Sequence, residues 1–143
     1  DFRKDSPIFL INLQKEKLKR TKMAIHNDLG RDGEQMASNL LEAKGYTIRH
    51  RNWRCGHKEL DIVAEKDNLL VIVEVKTRKD TLFGTPEEAV TNAKIRRIVS
   101  STDAYLRKYA IDKPVRFDLI TIVTQQGNTQ IDHIEDAFYP PLF

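Results

Sequence analysis

The pattern of apolar and polar positions is clearest in the middle of the chain, where two hydrophobic runs flank a short polar segment. Residues 59–65 and 69–76 each have the length of a β-strand, and the polar segment Lys66-Asp67-Asn68 separates them. The run that begins at Leu69 is apolar on both faces, which is typical of an interior strand. We therefore predict a β-hairpin whose second strand lies inside a sheet.

Two further segments have the apolar periodicity of helices. Residues 27–44 form the first, and Gly45 is suited to end it. The second is predicted to begin at Thr85-Pro86-Glu87-Glu88, which combines a capping box with proline at the first helical position, and to end at Tyr109. The predicted apolar stripe of the first helix comprises Gly33, Met36, Ala37, Leu40 and Leu41. That of the second comprises Ala89, Ala93, Ile95, Ile98, Val99, Thr102, Leu106 and Tyr109.

Three more strands complete the predicted sheet. Residues 46–54 form a strand before the turn at 55–58, and residues 115–123 form one after the second helix. A turn at 126–129 then leads to a short edge strand at 130–134. Because a strand–helix–strand run joins parallel neighbours by a right-handed crossover, the fold class is α/β with a mixed central sheet in α-β-β-β-α-β order.

Composition and charge change this picture only at the N-terminus. The 143 residues suit one globular domain, and the single cysteine, Cys55, excludes an intramolecular disulfide and a cysteine-rich zinc site. Residues 1–22 hold seven Lys/Arg against three Asp/Glu (net +4), whereas residues 23–143 hold seventeen against eighteen (net −1). We therefore predict a peripheral basic extension at 1–22 and a single domain at 23–143. With no membrane-length apolar run and no signal-peptide pattern, we expect a cytoplasmic location.

The hairpin brings candidate chemistry together if its turn has two or four residues. In both registers Asp61 lies opposite Glu74 and Glu59 lies opposite Lys76, with directly paired Cβ atoms about 4.5–5.5 Å apart. A three-residue loop would shift the register by one and place these groups on opposite faces. The predicted site therefore depends on the turn.

Two carboxylates so close repel each other unless a cation lies between them. Mg²⁺ binds oxygen ligands and usually takes one or two carboxylates together with water. We predict that Asp61 and Glu74 bind Mg²⁺, or Mn²⁺ in vitro, with the Val75 carbonyl as a third ligand. Lys76 would position an attacking water or offset charge on a phosphate. The alternative is a solvated strand end with weak ion pairs, which would bind neither metal nor nucleic acid.

Other charged residues could serve the same site. Glu34 borders the apolar stripe of the first helix, where it is either a helix N-terminal charge or a side chain directed at the metal. Basic residues around an acidic metal site suit a phosphodiester backbone. The predicted phosphate-binding residues are Arg51, Arg54, Arg78 and Lys94.

The order of elements and the motifs together resemble the PD-(D/E)-x-K nuclease superfamily, which has the restriction-endonuclease-like three-layer fold with helices flanking the sheet. Within it, the sequence looks most like the YraN-like uncharacterised bacterial family. The resemblance covers about residues 30–123, and one departure is Lys58, which stands where that family usually has glycine. The segments that carry it are Gly33-Glu34, Gly45-Tyr46, Arg51-Asn52, Glu59-Leu60-Asp61, Val73-Glu74-Val75-Lys76-Thr77-Arg78, Phe83-Gly84, Lys94 and Phe117-Asp118.

The resemblance implies a metal-dependent endonuclease related to archaeal Holliday-junction resolvases. Asp61, Glu74 and Lys76 match the catalytic positions, Glu34 matches a first-helix glutamate, and Glu59 is an accessory candidate. The implied substrate is DNA, including branched DNA of repair or recombination, with RNA and a homodimeric state left open. The rival hypothesis is a nucleic-acid-binding protein that retains the nuclease fold without cleaving.

Overall fold

The computed structural model describes residues 11–12, 14–15, 32–79 and 90–140. The chain divides into two compact units, Asp1–Asp32 and Gly33–Phe143. In the first unit, residues 11–12 and 14–15 are helical. Most of the predicted extension at 1–22 lies outside the described residues, so its peripheral position stays a prediction. The sheet and the candidate site belong to the second unit.

A five-stranded mixed sheet forms the centre of the second unit, and its strands lie side by side in chain order. The third and fourth strands are parallel to each other, and the other three neighbouring pairs are antiparallel. This arrangement confirms the predicted α/β class and the edge position of the last strand. The strands are β1 (Thr47–Cys55), β2 (Lys58–Lys66), β3 (Leu69–Arg78), β4 (Val115–Gln125) and β5 (Asn128–Ile134).

The β2–β3 hairpin has the two-residue turn that the prediction required. Asp67 and Asn68 have φ angles of 52° and 62°, and such left-handed pairs match the twist of the flanking strands. The ladder runs from Lys66 opposite Leu69 to Ile62 opposite Val73. This is the register in which the next pair would be Asp61 and Glu74, so the predicted register is confirmed along this ladder.

Helix α1 occupies residues 32–43 of the described chain. Gly45 follows it with a φ of 91° and donates its N–H to the Glu42 carbonyl over 3.0 Å. The next N–H, of Tyr46, donates to the Leu41 carbonyl over 3.0 Å. These two bonds form a Schellman motif, which confirms the predicted C-terminal cap. The predicted start at residue 27 lies outside the described residues.

Helix α2 spans Asn92–Lys108, and its start differs from the prediction. Thr91 is the N-cap, and its hydroxyl oxygen accepts the Lys94 N–H over 3.2 Å. The segment 85–88 is outside the described residues, but Val90 and Thr91 are not helical, so a single helix from 85 to 109 was wrong. The buried side was also partly wrong, because Ala93 is exposed while Tyr105 is fully buried.

The two helices cover opposite faces of the sheet, which gives three layers. Alternate residues of β3 enter different hydrophobic clusters, as the period of a strand requires. Val71 and Val73 pack with Ala37 and Leu41 of α1. On the other face, residues of β3 and β4 pack with α2, and the members of this cluster include Leu60, Leu70, Ile72, Ile95, Ile98, Tyr105 and Phe117.

Candidate active site

An irregularity in β2 positions the first candidate carboxylate. Leu60 packs on the α2 side of the sheet, but Ile62 packs on the α1 side, although residues two apart normally share a face. On the neighbouring strand Asn52, which lies between the partners of Ile62 and Leu60, has a φ of 50°. The β2–β3 pairs stop at Ile62 and Val73, so Asp61 stands at the end of the ladder, where its side chain is available to the cleft.

Asp61 and Glu74 form a close carboxylate pair. Glu74 is only 6% exposed, and the Asp61 Oδ2 atom accepts the backbone N–H of Val75 over 2.9 Å. Burial and the neighbouring charge of Glu74 raise the pKa of Asp61 to about 7, although the Val75 hydrogen bond acts in the opposite direction. The hydrogen bond between the two side chains favours the protonated form as well. The pair therefore holds a proton at neutral pH that a cation could replace.

Two lysines neutralise Glu74 from different elements. The Lys94 Nζ atom lies 3.1 Å from Glu74 Oε1, and the Lys76 Nζ atom lies 3.7 Å from it. Burial alone would lower the pKa of Lys94, but attraction to Glu74 outweighs it and the pKa is raised. Lys94 was predicted to contact phosphate. The structure brings its ammonium group to the carboxylate pair, and the phosphate contact stays a prediction.

Glu34 reaches the same region from α1. Its carboxylate accepts a short hydrogen bond from the Asn52 side chain. Burial raises the pKa of Glu34, and the charge of Asp61 raises it further, so the two carboxylates are within electrostatic reach of each other. Both roles considered for Glu34, a helix N-terminal charge and a side chain directed at the metal, stay predictions.

The remaining predicted site residues are more peripheral. Glu59 is exposed and lies 3.9 Å from Arg54, which is exposed as well. Arg51 donates to Gln35 of α1 over 2.9 Å, and Arg78 is half-buried at the end of β3. Of these, only Glu59 lines the cavity beside the carboxylate pair. Their predicted contacts with nucleic acid stay predictions.

A cavity of about 660 Å³ opens at Asp61 and Glu74, between the β1–β2 turn and α2. Lys58, Arg97 and Ser100 line it but are outside the predicted site set. The sequence could have indicated Arg97, because it lies three residues after the candidate Lys94, and residues three apart share a helix face. Lys58 gave no such signal, since only the fold brings the β1–β2 turn against α2.

The donor set suits a hard divalent cation, which the resemblance to metal-dependent nucleases implies. Within residues 32–79 and 90–140, no three His, Cys, Asp or Glu side chains are grouped so as to hold a metal ion. An ion at Asp61 and Glu74 would therefore rely on two carboxylates, backbone oxygen and water. That coordination is usual for Mg²⁺ and differs from a structural zinc site.

The comparisons with known proteins give the family. The model of Uncharacterised protein family UPF0102 matches residues 33–122. This chain belongs to that family. The match confirms the predicted YraN-like membership and covers the strands that carry Asp61 and Glu74 together with Glu34 and Lys94.

Several bacteria have UPF0102 proteins that are similar to this chain. The UPF0102 protein of Phocaeicola vulgatus is 62% identical over 121 residues, which are 85% of this chain and 100% of that protein. The one from Bacteroides thetaiotaomicron is 63% identical with the same coverage. A relative from Flavobacterium psychrophilum is 44% identical over 82% of this chain and 98% of its own length.

One solved structure with a similar chain trace is Hjc, a Holliday junction resolvase from Archaeoglobus fulgidus. It is 16% identical, with a TM-score of 0.43 over 74% of this chain and 76% of that chain. In the part of the chain that the structure describes, no helix is both long and apolar enough to cross a membrane.

Proposed function

We propose that this UPF0102 protein is a divalent-metal-dependent endonuclease that cleaves DNA phosphodiester bonds in the cytoplasm. The observation that carries the proposal is the buried pair of Asp61 and Glu74 with two lysines at its edge. Burying two carboxylates together is unfavourable, and a raised pKa in a cleft is typical of functional groups. A bound cation would offset this cost.

Three groups would hold the ion. Asp61 and Glu74 supply carboxylate oxygens, and the Val75 carbonyl supplies a third. The Val75 N–H points to Asp61, and because the N–H and C=O of one strand residue point to the same side, this carbonyl faces β2 as well. A bound divalent ion supplies Lewis acidity toward a phosphoryl oxygen and lowers the pKa of a bound water.

The lysines have separable roles in this proposal. Lys76, on the same strand as Glu74, orients the attacking water and stabilises charge on the phosphate. Lys94 pairs with Glu74 while no ion is bound, and its ammonium group is available to a phosphate oxygen once an ion takes that place. Such preorganised charges act without further rearrangement of the protein, which is the main way in which phosphoryl transfer is accelerated.

Titration with Mn²⁺ tests the site directly. We expect the wild type to bind one Mn²⁺ and Glu74→Ala to lose most of this binding, because the substitution removes one of the two proposed carboxylate ligands. Glu42→Gln is the control, since Glu42 is exposed on α1 and does not line the cavity, and it should bind as the wild type does. Equal affinity in the wild type and in Glu74→Ala would contradict the proposed ligand role. Calorimetry or the electron paramagnetic resonance of Mn²⁺ provides the measurement.

Cleavage assays separate this proposal from a non-catalytic DNA-binding protein. Duplex, single-stranded, flapped and four-way DNA are incubated with Mn²⁺, and Lys76→Met is the inactive reference. We expect wild-type cleavage of at least one DNA, with branched DNA as the favoured class. Binding without cleavage of every substrate would favour the non-catalytic role.

A further inference from the structure

Lys58 and Arg97 form a basic wall of the cavity that holds the carboxylate pair. The Lys58 Nζ atom donates to Ser100 Oγ over 2.5 Å, which joins the β1–β2 turn to α2. Arg97 lines the cavity on α2, one turn after Lys94. Its Nε atom makes a 3.4 Å contact with the Ala93 carbonyl, so the guanidinium retains donors for another group.

Counted as formal charges, the ionisable side chains that line the cavity balance while no cation is bound. Three are basic (Lys58, Lys94, Arg97) and three are acidic (Glu59, Asp61, Glu74). Lys94 pairs with Glu74, and Glu59 pairs weakly with Arg54 outside the cavity. Within the described residues, neither Lys58 nor Arg97 has a carboxylate within ion-pair distance. These two cations are therefore available to an anion from outside the protein.

We propose that Lys58 and Arg97 hold consecutive phosphates of the DNA strand whose scissile phosphate lies at Asp61 and Glu74. This inference rests on the proposed function and adds the path of the strand. The DNA strand would run over the β1–β2 turn and the first turns of α2. This path leads away from Arg51, Arg54 and Arg78, none of which lines the cavity. A bound divalent ion adds two positive charges to a balanced cavity and so favours the same phosphodiester chain.

The ligand chemistry follows from the spacing of the groups. Lys58 donates to Ser100 of α2, whose hydroxyl can turn toward an anion, and Arg97 lines the same cavity from that helix. Phosphate oxygens accept hydrogen bonds from such side chains without regard to base sequence. The contacts therefore position the strand and contribute no sequence preference.

DNA-binding measurements in Ca²⁺, which limits cleavage, test the path. Fluorescence anisotropy with a labelled oligonucleotide is compared for the wild type, Lys58→Gln, Arg97→Gln and the double variant. Each substitution should weaken binding by about three- to tenfold near 0.1 M salt, and the slope of log affinity against log salt should fall by about one per contact.

Arg107→Gln is the matched control on the same helix. Arg107 is 81% exposed, pairs with Asp103 over 3.2 Å and does not line the cavity. It should bind DNA as the wild type does. Lys58→Arg and Arg97→Lys keep the charge and should retain most of the affinity, which separates lost charge from a damaged fold.

Two outcomes overturn the inference. If Lys58→Gln and Arg97→Gln bind DNA like Arg107→Gln, the strand takes another path, although a Glu74-dependent Mn²⁺ site would leave the proposed function standing. If the charge-retaining variants lose as much affinity as the glutamine variants, the loss comes from folding and not from phosphate contacts. Absence of both Mn²⁺ and DNA binding by the wild type would instead overturn the proposed function itself.

Discussion

Asp61 is the residue on which the proposed chemistry depends, and its surroundings make its ionised form unfavourable. Its carboxyl group is buried beside Glu74, and it accepts the Val75 N–H. Burial and repulsion raise its pKa from 3.8 to about 7, so the ionised form is disfavoured in the folded protein when no cation is present. A divalent ion between the two carboxylates would offset this cost, because each carboxylate would then be attracted to the ion.

The raised pKa of Asp61 predicts how stability depends on pH in a chelating buffer. The unfolded chain releases this proton near pH 4, but the folded chain keeps it until about pH 7. Between these values the folded state binds more protons, so the free energy of unfolding falls as pH rises and stays low above about 7. Asp61→Asn should therefore be more stable than the wild type at pH 8, by about 2–4 kcal/mol, and similar to it at pH 4.

Urea denaturation of both proteins at pH 4 and pH 8 in the presence of EDTA provides the measurement. The comparison removes contributions from other titrating groups, because they are common to both proteins. A stability difference that is the same at the two pH values would contradict the raised pKa.

At the scale of elements, the closeness of α1 to β3 depends on a residue without a side chain. A Cβ atom at Gly33 would overlap the methyl group of Thr77 and would lie 3.5 Å from Ile122 Cδ1. Because Thr77 is β-branched and part of β3, it cannot easily move aside. Gly33 therefore lets α1 approach the sheet, and the next residue, Glu34, is held near Asp61 as a result.

Gly33→Ala should destabilise the protein by about 1–3 kcal/mol, as overpacked sites do. A loss of stability would be informative, because alanine normally stabilises a helix by about 1 kcal/mol relative to glycine. Thr77→Ser removes the methyl group and keeps the hydroxyl, so the double variant Gly33→Ala/Thr77→Ser should recover most of the loss. Chemical denaturation of the four proteins measures this cycle, and additive effects would contradict the proposed contact.

At the scale of the whole molecule, a second buried carboxylate is separate from the candidate site. Asp118 is fully buried on β4 and receives two 2.8 Å hydrogen bonds from Arg116, one on each oxygen. His133 lies 2.7 Å from its Oδ2 atom, and the Asp136 N–H donates over 3.0 Å. Burial would raise the pKa of Asp118, but these partners outweigh it and the pKa is lowered. This network ties β5 and the following turn to the sheet.

Removing Asp118 leaves Arg116 half-buried without its main partner. Asp118→Ala should therefore cost about 3–5 kcal/mol, which is typical of a broken buried ion pair. The exposed pair of Asp103 and Arg107 serves as the control, and Asp103→Ala should cost less than about 1 kcal/mol. Guanidinium denaturation measures both. Similar losses in the two variants would show that the Asp118 network does not stabilise the fold in this way.

The sequence by itself determined the local elements and much of the candidate set. The register of the β2–β3 hairpin followed from the alternation of side chains and from the Asp67-Asn68 turn, both of which act between near neighbours in the chain. The Gly45 cap was readable for the same reason. Asp61, Glu74 and Lys76 could be named because they lie on adjacent strands whose pairing is local.

Only the tertiary structure decided which side chains from distant segments lie near the carboxylate pair. The start of α2 at Thr91 was missed because the capping-box pattern at 85–88 is a stronger local signal than Thr91 alone. The ion pair between Lys94 and Glu74 depends on how α2 lies against the sheet, and so does the basic wall formed by Lys58 and Arg97. Periodicity shows which side of a helix is buried, but it does not show where along a neighbouring strand that helix rests. That position is fixed by the packing of the whole core.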